Sequence, residues 1–316
     1  MIARLRATSR AWIIPLFQSP ALLEFVCQRF SFVLELKVTL ATLFMVPMYE
    51  LIERAANLLA QARYGVALTG AGVSTPSGIP DFRSENTGLW ASYDPLQVAT
   101  LYAFRHHPDR FFDWIRPLAQ RLFAAQPNAA HRALAQLQAA QRVQTIITQN
   151  IDNLHQRAGA QHVIELHGTA YTGTCINCYR VYPSDKFCVE WIESQTIPRC
   201  AECGGIVKPN VILFGEALPV KALMAAKQAV TRCDVLLIAG SSLEVAPASD
   251  LPRLAQAREA KLIMVNRGRT YLDDDCDVLI HEDVAEVLPA IAAACLQHQS
   301  RSAGSLQPAN HEETQL

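Results

Sequence analysis

The sequence predicts an α/β protein built on a doubly wound parallel sheet, Rossmann-like, with a smaller cysteine-bearing module and a helical insert. Two observations predict the sheet. Short, continuously apolar runs alternate with stretches of helical period, the pattern of strands buried on both faces by crossover helices. Polar words follow directly on the C-terminal ends of those runs, where open parallel sheets hold their ligands. A third observation, two Cys-x-x-Cys pairs inside a segment that breaks the alternation, predicts the module.

In chain order, Leu51, Ala55, Leu58, Leu59 and Ala62 recur at helical spacing, and Arg63-Tyr64-Gly65 ends that helix before a strand at 66–69. From 84 to about 130 the pattern is aromatic and irregular, with Trp90, Tyr93, Phe104, Phe111, Phe112 and Trp114, and reads as a helical insert. Within it, Pro108 opens a helix that runs into Leu122. A helix at 133–139 leads to a strand at 143–148, and 163–166 is the next strand. Residues 173–207 hold the cysteine pairs. The strand pattern resumes at 211–214, a helix covers 223–230, and strands at 234–239, 261–266 and 277–280 complete the set.

At 316 residues, half of them apolar, the chain is long enough for one large domain or a domain with a sizeable insert. A net charge of −1 leaves no electrostatic footprint for nucleic acid. Cys175-x-x-Cys178 and Cys200-x-x-Cys203 stand 21 residues apart, a spacing that presents four thiolates to one tetrahedral zinc ion. A redox or disulfide pair is the alternative. Cys27, Cys188, Cys233, Cys276 and Cys295 read as free thiols, and a zinc-thiolate site beside unpaired cysteines suits a reducing cytoplasm. Residues 1–47 form an apolar leader whose Arg, Glu and Lys interrupt any span of about 20 residues, so no membrane helix is expected. The leader reads as an extension ahead of a natural start at Met48 or Met45; the other reading is an arm packed on the domain. Residues 296–316 are polar and are expected to be disordered.

Four words carry the chemistry. Gly70-Ala71-Gly72-Val73-Ser74 leaves the strand at 66–69, and glycine there lets backbone N–H groups approach a pyrophosphate. Thr75 stands where the dinucleotide fingerprint has its third glycine, so the turn by itself fits an empty tight turn as well. Gly240-Ser241-Ser242 and Asn266-Arg267-Gly268 end two further strands, and three such loops above one sheet predict a dinucleotide. Gly78-Ile79-Pro80-Asp81-Phe82-Arg83 is a stiffened loop that taken alone is a salt-bridged turn. Gln149-Asn150-Ile151-Asp152 contains an Asn/Asp pair that is also common in turns. His167-Gly168 ends a strand and is not spaced to join either cysteine pair; an imidazole of near-neutral pKa there can take a proton from a hydroxyl. His131, His155 and His162 read as surface or capping residues.

The order and spacing of these words resemble the sirtuins, NAD-consuming protein deacylases, over roughly residues 48 to 295. The resemblance implies that NAD is held by Gly70, Ala71, Gly72 and Ser74, and by Ile79, Asp81, Phe82 and Arg83. It adds Gln149, Asn150, Ile151 and Asp152, then Gly240, Ser241 and Ser242, and finally Asn266, Gly268 and Val284. It makes His167 the catalytic base, with Asn150 and Asp152 in the nicotinamide pocket. An acyl-lysine peptide would add as a strand between Ile212, Phe214, Gly215 and Glu216 on one side and Leu243 and Val245 on the other. One structural zinc on Cys175, Cys178, Cys200 and Cys203 is also implied. The implied reaction removes acyl groups, chiefly acetyl, from protein lysines, giving nicotinamide, O-acyl-ADP-ribose and free lysine. A protein mono-ADP-ribosyltransferase on the same fold is the alternative. Gly240-Ser241-Ser242 departs from the common Gly-Thr-Ser by one methyl. The Tyr and Arg that meet an acyl carboxylate in succinyl-preferring sirtuins fall on Ile115 and Leu118, so neutral acyl groups are expected.

Overall fold

Valine, isoleucine and leucine dominate the parallel strands because both of their faces are covered. The computed structural model describes residues 48–82, 88, 89, 94–184 and 187–304. The leader 1–47, Arg83 with the adjoining 84–87, residues 90–93 and the end of the tail, 305–316, lie outside the described residues. The chain divides into two compact units, 1–50 and 51–316; of the first only the helical residues 48–50 are described. Among the described residues no helix is long and apolar enough to cross a membrane.

Helix α1 ends at residue 61 and leads into β1 (Gly65–Thr69). Strands β2 (Thr145–Thr148) and β3 (Val163–Glu165) add to one side of β1. Strands β4 (Gly168–Cys175), β5 (Val181–Pro183) and β6 (Val207–Val211) form a separate antiparallel sheet. The chain then returns, and β7 (Val235–Ala239), β8 (Lys261–Val265) and β9 (Val278–Ile280) extend the other side of β1. The six-stranded sheet is parallel throughout, in the order β3-β2-β1-β7-β8-β9. Its order reverses between β1 and β7, the switch point at which such sheets open a ligand crevice. Thr69 is in register with both Thr148 and Ala239, and Ala239 with Val265, so four strands end at one level. The polar words therefore start side by side.

One face of the sheet packs Val66, Leu68, Leu236 and Ile238 against α8 (Val220–Arg232) and α9 (Leu251–Gln256) through Ala226, Val230, Leu251 and Ala255. Elsewhere α5 (Ala129–Ala139) packs on α10 (Val284–Gly304). The tail expected from residue 296 is helical as far as Gly304. The apolar spacing of Leu288, Ile291, Ala292 and Cys295 carries the helix on, and His298 Nε2 meets Glu53 Oε2 at 3.0 Å.

Two expectations change. Residues 211–214 do not form a strand of the parallel sheet. Buried Val207, Pro209 and Val211 alternate with Lys208 and Asn210, and this half-buried pattern pairs antiparallel with β4. The helical insert and the cysteine module are also not separate bodies. The insert comprises α2 (Pro95–Val98), α3 (Leu101–His106) and α4 (Pro108–Ala124). Its Phe104, Phe111, Phe112 and Trp114 share one core with Cys188, Trp191 and Val207 of the module.

Candidate active site

The two turns at the switch point touch each other. Gly72 N–H donates to Gly240 C=O at 2.9 Å, and Gly70 N–H donates to Ala239 C=O at 3.1 Å. A Cβ on Gly240, whose φ is 58°, would lie 2.5 Å from Val73 N, and one on Gly72 would lie 2.9 Å from Gly240 Cα. These glycines are needed for the turns to meet, in addition to admitting a ligand to the backbone.

Behind the turns lies a buried polar chain that fixes the Asn/Asp word. Asn150 Nδ2 donates to Gly70 C=O at 3.1 Å and to Ser74 Oγ at 3.0 Å, which leaves its Oδ1 as the group the amide can offer a ligand. Ser74 Oγ donates to Asp152 Oδ2 at 2.6 Å, while Asp152 Oδ1 accepts from Leu154 N–H at 2.9 Å. Burial raises the Asp152 carboxyl above its ordinary range, and these hydrogen bonds oppose the rise. His131 Nδ1 accepts from Asn128 N–H, so its Nε2–H faces Ser74 Oγ at 3.4 Å. His155 Nε2 lies 2.9 Å from Thr69 Oγ1, and its ring centroid is 4.9 Å from that of His131.

His131 does cap α5, as expected, but it and His155 are fully buried rather than at the surface. Burial drives their pKa values from 6.5 to about 4 and about 3. Both are neutral in the fold, whereas the unfolded chain protonates them near 6.5. Stability is therefore expected to fall as pH drops from 6.5 toward 4, by about 1.4 kcal/mol per pH unit for each histidine. Thermal unfolding across that range, in wild type and in His155→Gln, checks this; an unchanged pH slope in the variant would exclude His155 as a contributor.

His167 follows β3 and precedes the Gly168 turn. Its Nδ1 lies 3.0 Å from Gln149 C=O, and a carbonyl can only accept, so Nδ1 carries the proton. Nε2 is the basic nitrogen. Burial lowers the ring's pKa below 6.5, and the Gln149 carbonyl partly restores it. Gln149 also donates through Nε2 to Ser241 Oγ at 2.9 Å, tying the β2 end to the β7 end.

A single cavity of about 620 Å³ joins these groups. At the glycine turns it is lined by Gly70, Ala71, Gly72, Ser74 and the loop residues Ile79, Asp81 and Phe82. Gln149, Asn150, Ile151, Asp152 and His167 form its centre. Gly240, Ser241, Ser242, Asn266, Gly268 and Val284 line the β7 to α10 side, and Ile212, Phe214, Gly215, Glu216 and Val245 the opposite wall. Arg83 falls outside the described residues. Leu243 is the exception: its side chain is buried in the sheet core with Leu251 and Ala248, and it does not line the cavity. A backbone φ of 55° and the bond from its N–H to Ser241 Oγ fold that residue inward.

Sequence reasoning missed part of the lining. Trp114 and Leu122 were not foreseen; they join Ile115 and Leu118, which the sequence places at the acyl group, in an apolar stretch of lining contributed by α4. Arg267, Arg269, Glu282 and Asp283 also line the cavity. Arg267 Nη2 meets Asp283 Oδ2 at 2.6 Å, and Asp283 Oδ1 accepts from Ala285 N–H. The signal for Asp283 was its place as an N-cap ahead of an apolar helix.

The four module cysteines bring their Sγ atoms within 4.8 Å of one another, with Cys175–Cys203 at 3.5 Å and Cys178–Cys200 at 3.6 Å. Tetrahedral Zn–S bonds of about 2.3 Å place sulfurs about 3.8 Å apart, so the donor set fits zinc and excludes disulfides. Four ligands close the shell, which makes the ion structural. The Tyr182 hydroxyl donates to Cys200 Sγ at 3.1 Å, supporting its thiolate.

A parallel sheet with glycine turns at its switch point, a half-buried imidazole lining the crevice and a four-thiolate centre define a dinucleotide-dependent α/β enzyme. Residues 70–247 match the Sir2 family, and the chain belongs to that family. It is 45% identical over 241 residues to an NAD-dependent protein deacylase of Archaeoglobus fulgidus, covering 76% of this chain and 94% of the relative. Its fold superposes on a Sir2 homologue bound to NAD with a TM-score of 0.72 at 36% identity, covering 78% and 94% of the two chains. It superposes on a Sir2 enzyme bound to a myristoylated histone peptide with a TM-score of 0.69 at 37% identity, covering 80% and 99%.

Proposed function

We propose that this protein is an NAD-dependent protein-lysine deacylase that prefers neutral acyl groups. The observation that carries the reading is the position of His167. Its ring, with Nε2 as the basic nitrogen, lines a cavity that also takes in the glycine turns and the apolar side chains of α4. NAD supplies the leaving nicotinamide and the ribose hydroxyl that accepts the acyl group. Gly70, Gly72, Ser241 and Asn266 would hold the dinucleotide, and the three joined strand ends keep those contacts in one plane. Asn150 and Asp152 would receive the nicotinamide end, held rigid by Ser74 so that little reorganisation accompanies reaction. Phe82 would shield the reacting face from water. His167 Nε2 takes the proton from the ribose hydroxyl, and the Gln149 carbonyl stabilises the imidazolium that results. Mass spectrometry of an acetyl-lysine peptide with NAD tests this: O-acetyl-ADP-ribose and free lysine are expected. ADP-ribose attached to protein, without deacylation, would favour transferase chemistry instead.

The α4 wall of the cavity sets the acyl preference. Ile115 and Leu118 line it, while Arg116 is turned away, 2.8 Å from Asp113 Oδ1 and 3.4 Å from Gln195 C=O. Tyr102 is exposed and stacks on His106. Among the described residues α4 offers a carboxylate at this wall only apolar side chains, so acetyl-peptide is expected to exceed succinyl-peptide by about 100-fold or more in kcat/KM. A succinyl preference would sink this assignment. The relative structure with a myristoylated peptide supports acceptance of longer aliphatic chains. Zinc thiolates and the unpaired Cys188, Cys233, Cys276 and Cys295 suit a reducing, cytoplasmic setting.

A further inference from the structure

Lys208 sits in β6 and does not line the cavity, yet its side chain is largely withdrawn from solvent, with an exposure of 13%. Its Nζ reaches Glu216 Oε2 at 3.0 Å, Val211 C=O at 2.8 Å and Pro209 C=O at 3.3 Å. Three donors thus meet three acceptors. The same Glu216 Oε2 accepts from Leu213 N–H at 2.7 Å, and Glu216 N–H donates back to Leu213 C=O at 2.9 Å. Between them Gly215 adopts φ 85°, which closes the turn. On the outer side Phe214 is pinned as well, since its N–H donates to Ala99 C=O and its C=O accepts from Leu101 N–H. Gly215, between these fixed residues, lines the cavity. One carboxylate and two carbonyls take up the three donors of this largely withdrawn ammonium, so the turn is held in one arrangement while the pair is intact.

We propose that Lys208 is a positioning residue for the acyl-peptide: through its ion pair with Glu216 it locks the 213–216 turn against which the peptide strand docks, without touching substrate itself. This rests on the deacylase reading for its kinetic consequence, but the ordering of the turn is measurable without turnover. Lys208→Met is expected to raise the KM for acetyl-peptide by about 10- to 100-fold, as small misplacement of a binding edge does. The KM for NAD should stay within about twofold and zinc content should not change, because neither site contacts Lys208. Lys208→Arg, which keeps the charge, should recover part of the loss. A folded Met variant with unchanged peptide KM, or one in which peptide and NAD KM rise together, overturns the proposal.

Hydrogen exchange at the Leu213 and Glu216 amides provides the independent measurement, using Lys208→Gln should the Met variant not fold. Both amides are expected to exchange at least about tenfold faster in the variant. Unchanged protection there overturns the locking role whether or not the enzyme turns over. Wild-type protein that shows no NAD-dependent deacylation while the amides lose protection would instead remove the deacylase reading and leave the lock.

Discussion

His167→Ala is expected to lower kcat/KM for acetyl-peptide by about 100- to 10,000-fold, the usual worth of a positioned general base. The melting temperature should move by only about 3 °C, because the His167 side chain belongs to neither apolar core and bonds the Gln149 C=O, while its backbone bond to Ile212 N–H survives the substitution. The pH profile adds a second check. The base must be neutral to act, and burial holds its pKa below 6.5, so the wild type is fully active at pH 7. Activity is then lost as pH falls through a midpoint below 6.5. The alanine variant should lack that acid limb. Steady-state kinetics between pH 5 and 8, with a thermal melt on the same samples, decide the matter. A folded variant that deacylates like wild type removes His167 from the chemistry.

Cys200→Ser or Cys175→Ser is expected to release the zinc and unfold the module, since a structural zinc site contributes folding free energy on the order of 10 kcal/mol. The effect should reach the active site. Cys175 and Cys200 belong to the same apolar core as Phe112, Trp114 and Trp191, and Trp114 lines the cavity that holds His167. Loss of the metal is therefore expected to expose Trp191, quench or shift its fluorescence and abolish deacylation together. Metal analysis, tryptophan fluorescence and thermal unfolding measure the three parts. One zinc retained per chain in either variant would contradict four-cysteine ligation, and a molten module with full activity would contradict the shared core.

Much of the site was legible because its signals are local. The glycine turns, the Gln149 to Asp152 word and His167 each follow an apolar run, and a strand's direction alone places its C-terminal loop on the ligand side of a parallel sheet. The cysteine spacing carried the metal site in the same way. Other features were illegible because they depend on what lies across the fold. Leu243 sits in a loop otherwise devoted to the cavity, and only its left-handed backbone turns it into the core. His131 and His155 looked superficial on α5 and in the short helix at Leu154–Arg157, yet the two helices press them together beneath the Asn/Asp loop.

The sequence by itself determined the six parallel strands, though with a seventh expected at 211–214, and the four thiolates, the polar words and their order, since hydrophobic period, glycine and ligand spacing act over a few residues. Only the tertiary structure decided that the helical insert and the zinc module share one core, that β6 joins the small sheet, and that Lys208 closes on Glu216. Those outcomes rest on burial and pairing between segments far apart in the chain. Whether a lysine or histidine is dry, charged or partnered is set by the neighbours that packing brings to it.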